Sequence, residues 1–253
     1  MQQLQGKVAI VTGAARGLGR AYAEALAAQG AAVLACDIND CAGTVAAVDS
    51  AGGRCVSAEV DVTDMDSCRA MAAAALEAFG RIDVLVNNAA LYAGLKGARF
   101  EHLEEEQWDA AMRVNIKGVW QASKAVVEAM RAAGGGSIIN ISSLAAVFGL
   151  PYGLDYVASK AAVIGMTRGM ARELGADNIR VNAVAPSAVM TEGTAEFFGE
   201  KFDKAKGVIA AGQLIQRNLE PQDLTGTIVY LASDASAFVT GQTHMVDGGS
   251  WFL

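Results

Sequence analysis

Tyr156 and Lys160 stand four residues apart near the end of the stretch 137–160, SIINISSLAAVFGLPYGLDYVASK. On a helix, that spacing sets a phenol and an ammonium on one face, one turn apart. A neighbouring cation favours phenolate over phenol and draws a tyrosine pKa down from its ordinary value of about 10. The pair is then expected to give and take a proton near neutrality. Ser143, just after the apolar run Ile138-Ile139-Asn140-Ile141, could hold a substrate oxygen beside the phenol. A lysine stem lying along a half-buried tyrosine has the same spacing, so the rest of the chain must decide between the two.

Those side chains need a scaffold, and the chain alternates strand-like and helix-like runs throughout. Residues 7–12 form a buried strand, followed by Thr12-Gly-Ala-Ala-Arg-Gly-Leu-Gly19 and an Ala/Leu-rich helix. Gly13, Gly17 and Gly19 would let the backbone turn tightly and bring a pyrophosphate to the helix N-terminus, with Arg16 and Leu18 in the same turn. The spacing is G-x-x-x-G-x-G rather than the G-x-G-x-x-G of the dinucleotide fingerprint. A second strand, 32–36, ends at Asp37, a carboxylate placed to accept hydrogen bonds from ribose hydroxyls and to repel a 2′-phosphate. That favours NAD over NADP, although Arg16 argues mildly the other way. Further strands are expected at 55–60, 84–86, 138–141, 180–184 and 243–246. Helices are expected at 40–51, 63–79, within 104–131, after Tyr156 to 174, and at 223–233. The sustained alternation predicts one doubly wound parallel α/β domain spanning 1–253, Rossmann-like, with seven strands and helices on both faces. Its ligands should lie at the strand C-termini.

Composition narrows the partners. The 253 residues are 53% hydrophobic, with 28 Gly and 3 Pro, and the formal net charge is −7 without a basic run. Nucleic acid and anionic membrane are poor partners for such a chain. No apolar run reaches the length of a membrane span, and the N-terminus reads as a first strand rather than a signal peptide. Cys36, Cys41, Cys55 and Cys68 lack paired metal-ligand spacing, and only two histidines accompany them, so no metal is expected. The cysteines read as small core residues of a cytoplasmic protein.

With Thr12-Gly-x-x-x-Gly-x-Gly19, Asp61-Val62, Asn87-Asn88-Ala89, Asn115, Ser143, Tyr156-x-x-x-Lys160 and Pro186 in hand, the chain resembles the short-chain dehydrogenase/reductase family over essentially its full length. The resemblance implies a catalytic tetrad of Asn115, Ser143, Tyr156 and Lys160, with Asn115 passing protons toward Lys160 through water. It implies that Asp61 and Val62 hold the adenine and that Lys160 bonds the nicotinamide ribose. Asn88 and Ala89 would then lie near that ribose, and Pro186, Val189 and Thr191 near the carboxamide. Two positions depart from the family pattern: Ala90 and Ser187 each stand where the family has glycine.

The expected reaction is removal of a secondary alcohol's proton by Tyr156 as its hydride passes to NAD, or the reverse. The substrate wall should come from Tyr92, Leu144, Phe148 and Tyr152, and from a helical lid at 188–217 that carries Phe197, Phe198 and Phe202. Such a wall suits an apolar or aryl alcohol or ketone. The rivals are a 3-oxoacyl reductase using NADPH and a nucleotide-sensing protein without chemistry. Ala158, Ala161, Ala162, Gly165 and Gly169 form a small-residue stripe that another helix could approach closely, offsetting about 1 kcal/mol per helical glycine. The family builds a subunit interface there, which implies a homotetramer, with Trp251-Phe252-Leu253 packing on a neighbour.

Overall fold

The computed structural model describes residues 2–252. Seven parallel strands form one sheet in the order β3-β2-β1-β4-β5-β6-β7. They are β1 (Val8–Thr12), β2 (Ala32–Asp37), β3 (Arg54–Glu59), β4 (Val84–Asn87), β5 (Gly136–Ile141), β6 (Ile179–Pro186) and β7 (Thr243–Val246). The continuous apolar runs of β1 and β4 are buried at every position, as a strand covered on both faces requires. At the edge, β3 buries only Cys55 and carries exposed charge at Arg54 and Glu59, which blunts edge pairing.

Helices cover both faces. On one side lie α1 (Gly17–Ala28), α2 (Ala42–Ser50) and α10 (Pro221–Ala232), packed through Tyr22, Leu26, Val48, Leu224 and Ile228. On the other lie α3 (Met65–Phe79), α5 (Gly118–Ala132) and α7 (Leu154–Leu174), packed through Met71, Val126, Met130 and Leu174. Burying about 25 cal/mol per Å² of apolar surface on each face holds the layers together. Between β4 and β5 the chain also forms α4 (Glu105–Met112), and between β5 and α7 the short α6 (Ala145–Phe148). After β6 come α8 (Glu192–Phe198) and α9 (Phe202–Ala211).

Strand order reverses between β1 and β4, so their loops part and open a crevice at the C-terminal edge. A buried polar lattice fixes this region from below. Asn87 Nδ2 donates to Asn140 Oδ1 at 2.8 Å and to Ser123 Oγ at 2.9 Å, and Asn140 Nδ2 donates to Thr167 Oγ1 at 2.9 Å. No helix among the described residues is long and apolar enough to cross a membrane. No group of three or more His, Cys, Asp or Glu side chains among them could hold a metal ion.

Candidate active site

The glycine turn after β1 is built by close approach. A Cβ on Gly19 would lie 2.0 Å from Gly13 O, and one on Gly13 would lie 2.8 Å from Ala89 Cα. Gly13 also has φ +67°, a left-handed conformation that glycine adopts freely. Asn88 locks the turn from the β4 side: its Nδ2 donates to Thr12 O and Gly13 O, each at 3.0 Å. Thr12 Oγ1 accepts from Asn88 N and Ala89 N, each at 3.1 Å. The first turn of α1 has no side-chain cap at Arg16. Its amides therefore remain open to an anion over a surface cleared of side chains, which fits a nucleotide pyrophosphate.

Asp37 ends β2 beside this turn. Its carboxylate accepts from Ala15 N at 3.1 Å and from Asn39 N and Nδ2 at 3.0 Å. It therefore holds the turn in shape as well as presenting negative charge there. Arg16 does not point free toward a phosphate, because both its terminal guanidinium nitrogens, Nη1 and Nη2, pair with Glu196 on α8. Asp61 accepts from Thr63 N at 2.8 Å at the end of the neighbouring strand, and Val62 is buried. Asp37 ends β2 and Asp61-Val62 follow the adjacent β3, and none of the three lines the cleft that holds the tyrosine.

That cleft, of about 560 Å³, joins the start of α1 to the segment after β6. Ser143, Tyr156 and Lys160 stand on its floor, with Asn88, Pro186, Val189 and Thr191 along its side. Ser143 comes from the end of β5, while Tyr156 and Lys160 rise from the start of α7. Lys160 is 4% exposed and its Nζ donates to Ile141 O at 2.8 Å. Ser142 Oγ, which donates to Lys160 O at 2.8 Å, ties α7 to the strand. Asn115 lies in a π-turn, Arg113–Lys117, between α4 and α5. It is fully buried, bonds both Leu91 N and Leu91 O, and donates to Ser159 Oγ at 3.0 Å. Asn115 therefore fixes the β4 loop against α7.

The electrostatics correct one expectation. Burial pushes the Tyr156 phenol up to about 12, with Ser143 hydrogen bonding in the opposite sense. Burial also draws the Lys160 ammonium down to about 8. The ammonium lies 5.8 Å from the phenol ring centre and spends a hydrogen bond on Ile141 O, so desolvation outweighs its pull. Both shifts oppose charge in this buried pair: the phenol is held in its protonated form and the ammonium is made more acidic.

Of the expected aromatic wall, Tyr92, Leu144, Phe148, Phe197 and Phe198 line the cleft. Tyr92 stacks on Phe197 at 4.6 Å and tilts against Tyr156 at 5.1 Å, a continuous aromatic run from the 188–217 segment to the phenol. Two expected residues do not line it. Tyr152 has a left-handed φ of +64° and is 64% exposed, its ring turned to solvent. Phe202 opens α9 on the outer side, in a groove between α1 and α10, with Lys206 Nζ over its ring at 4.9 Å. Trp251 lines the cleft of its own chain, held by Asp247 Oδ2, which accepts from Trp251 N at 3.0 Å. Trp251 is still 45% exposed and Phe252 76%, and Leu253 lies outside the described residues. Gln213, Ile209 and Ser187 also reach the cleft. No local pattern marked them, because loop closure over the sheet brings them there.

Comparison with known proteins accords with this geometry. The family described as enoyl-(acyl carrier protein) reductase matches residues 13–250. A 3-oxoacyl-[acyl-carrier-protein] reductase of Thermotoga maritima is 40% identical over 250 residues, spanning 98% of each chain. A D-threitol dehydrogenase of Mycolicibacterium smegmatis is 38% identical over 250 residues, covering 98% of this chain and 94% of the relative. The crystal structure of a protein described as a short-chain alcohol dehydrogenase from Sinorhizobium meliloti 1021 superposes with a TM-score of 0.91. It is 36% identical, with 98% of this chain and 97% of that one covered.

Proposed function

Because the chain belongs to the short-chain dehydrogenase/reductase family of oxidoreductases, we propose that it moves a hydride between NAD(H) and a secondary alcohol or its ketone, one with an apolar or aromatic body. The observation that carries this reading is Ser143, Tyr156 and Lys160 on the floor of an aromatic-walled cleft that runs into the glycine turn. The nicotinamide cofactor, when bound, accepts or supplies the hydride. The chain's own residues do the rest. The open amides at the start of α1, with Gly17 and Leu18, hold the pyrophosphate. Asp37 meets the adenosine ribose, Asp61 and Val62 the adenine, and Asn88, Ala89 and Lys160 the second ribose. Pro186, Val189 and Thr191 orient the reactive ring.

Ser143 donates to the substrate oxygen, an interaction of the kind whose loss costs about 2.7–4 kcal/mol. Tyr156 Oη gives its proton to that oxygen in reduction and takes it back in oxidation. Asn115 holds the β4 loop so that the phenol and the ribose site keep their separation. Segment 188–217 serves as a lid over the reacting carbon, excluding water through Phe197 and Phe198. The exposed stripe on α7 supports a homotetramer.

NAD is favoured over NADP by two contacts. The Asp37 carboxylate sits at the turn, and Arg16 is committed to Glu196. A second reading, a 3-oxoacyl reductase using NADPH, is favoured by the Thermotoga maritima relative. Initial rates with NAD and NADP over alkyl and aryl secondary alcohols, and with NADH and NADPH over 3-oxoacyl thioesters, separate the two. NAD-linked turnover of aryl alcohols is the expected result. Faster NADPH-linked reduction of thioesters would replace the first reading with the second.

A further inference from the structure

Gln213 and Ser187 form a hydrogen-bonded polar pair in the lining of the cleft. Gln213, 5% exposed, donates from Nε2 to Ser187 Oγ at 3.1 Å, and both residues line the cleft. The pair is rigid. Gln213 N donates to Ala210 O at 3.3 Å, and Ile215 N donates to Gly248 O at 2.9 Å. A Cβ on Gly248 would lie 3.0 Å from Gln213 Oε1, so the glycine in the turn after β7 leaves the amide its room. Ser187 itself follows β6 and is fixed by its N–H donating to Val246 O at 3.2 Å.

Gln213 Oε1 accepts no hydrogen bond among the described residues. The side-chain oxygens and nitrogens that are sealed and unpartnered lie elsewhere, on Tyr22, Arg180, Asn218, Thr243 and His244. The amide oxygen is therefore not sealed from solvent, in a residue that lines the cleft. Ser187 Oγ, already an acceptor, keeps its own proton to donate. Turning the amide over leaves the same inventory, one donor and one acceptor side by side. A carboxylate cannot use the acceptor, and an ammonium cannot use the donor. A neutral hydroxyl uses both.

Resting on the proposed function, we infer that Gln213 and Ser187 form a specificity subsite for a second, neutral hydroxyl group on the substrate, making the preferred substrate a hydroxylated secondary alcohol or hydroxyketone rather than a simple one. The subsite binds and orients; it takes no part in proton transfer.

The test compares 1-phenylethane-1,2-diol with 1-phenylethanol in oxidation, and 2-hydroxyacetophenone with acetophenone in reduction. The readout is the ratio of kcat/KM within each pair, which a folding defect lowers equally on both sides and so does not move. The wild-type ratio should favour the hydroxylated member by about tenfold or more, the worth of two neutral hydrogen bonds. Gln213→Leu and Ser187→Ala should each shrink it, and the double variant should bring it close to one. A wild-type ratio near one, or a large ratio that neither variant moves, overturns the subsite. Should no member of either pair turn over, the proposed function falls, and calorimetric titration of the two ketones in the presence of NAD decides the subsite separately. Tighter binding of the hydroxyketone, lost in Gln213→Leu, supports it. Equal affinities, or no binding of either, overturn it.

Discussion

Two side chains at the cleft floor set the expected chemistry. Tyr156→Phe removes the only atom proposed to carry the substrate's proton and leaves the glycine turn untouched. Turnover should fall by at least about a hundredfold, the usual worth of general acid–base catalysis. Cofactor binding, followed by quenching of protein fluorescence, should persist; turnover retained by the phenylalanine variant would remove Tyr156 from its role. The pH dependence follows from the same pair. With the phenol at about 12 and the ammonium at about 8, the first proton leaves the pair near pH 8, from Lys160. Below that pH both groups are protonated and nothing can accept the alcohol proton; above it the neutral Lys160 can take the phenol's proton as Tyr156 takes the alcohol's. Oxidation should therefore rise as pH passes through about 8, while reduction, which needs a protonated phenol, should not rise there. Lys160→Arg keeps its charge throughout and should erase the step. A wild-type profile with no ionisation between about pH 7 and 9 would contradict the coupling.

At the scale of elements, the join between β1 and α1 is the least forgiving. Alanine at Gly19 would bring its Cβ within 2.0 Å of Gly13 O and 2.7 Å of Asn88 Nδ2. Neither neighbour can retreat, since Asn88 is bonded to the turn and the turn to β4. Gly19→Ala should cost on the order of 1–3 kcal/mol in denaturant unfolding, as overpacking does. It should also weaken cofactor binding, because the α1 amides shift with the turn. Near-native stability with unchanged cofactor affinity would mean that the turn can relax in a way its contacts do not suggest. Across the cleft, Arg16 and Glu196 link α8 to the same turn through an exposed pair that solvent screens. Phe197 stacked on Tyr92 at 4.6 Å gives α8 an apolar hold beside that pair.

The whole molecule leaves one helix face unexplained by its own packing. A Cβ on Gly165 or Gly169 of α7 would meet nothing within 4 Å. Two exposed helical glycines lower helix stability unless another backbone comes close. The proposed homotetramer supplies that approach, and light scattering at micromolar concentration should return four chains. Gly165→Phe fits the isolated chain without a clash but blocks a close neighbour, so it should yield smaller species with unchanged helical content. An unchanged mass would place the interface elsewhere.

Sequence alone determined much of this protein. Strand and helix alternation, glycines where backbones cross, and Tyr156 one helical turn from Lys160 are local facts, each dictated by dihedral freedom or residue spacing. They were enough to place the seven strands, with ends shifted by a residue or two, and to name the cleft floor. Tertiary structure decided what depends on distant segments meeting. Burial raised the Tyr156 phenol instead of lowering it, because desolvation is a property of the surroundings and not of the i,i+4 spacing. A left-handed backbone turned Tyr152 outward, and α9 carried Phe202 to the outer side. Gln213 and Trp251 entered the cleft only through closure of long connections over the sheet, a placement no periodicity encodes. Residue spacing within one element is fixed by backbone geometry, whereas solvation and side-chain company are settled when the elements pack.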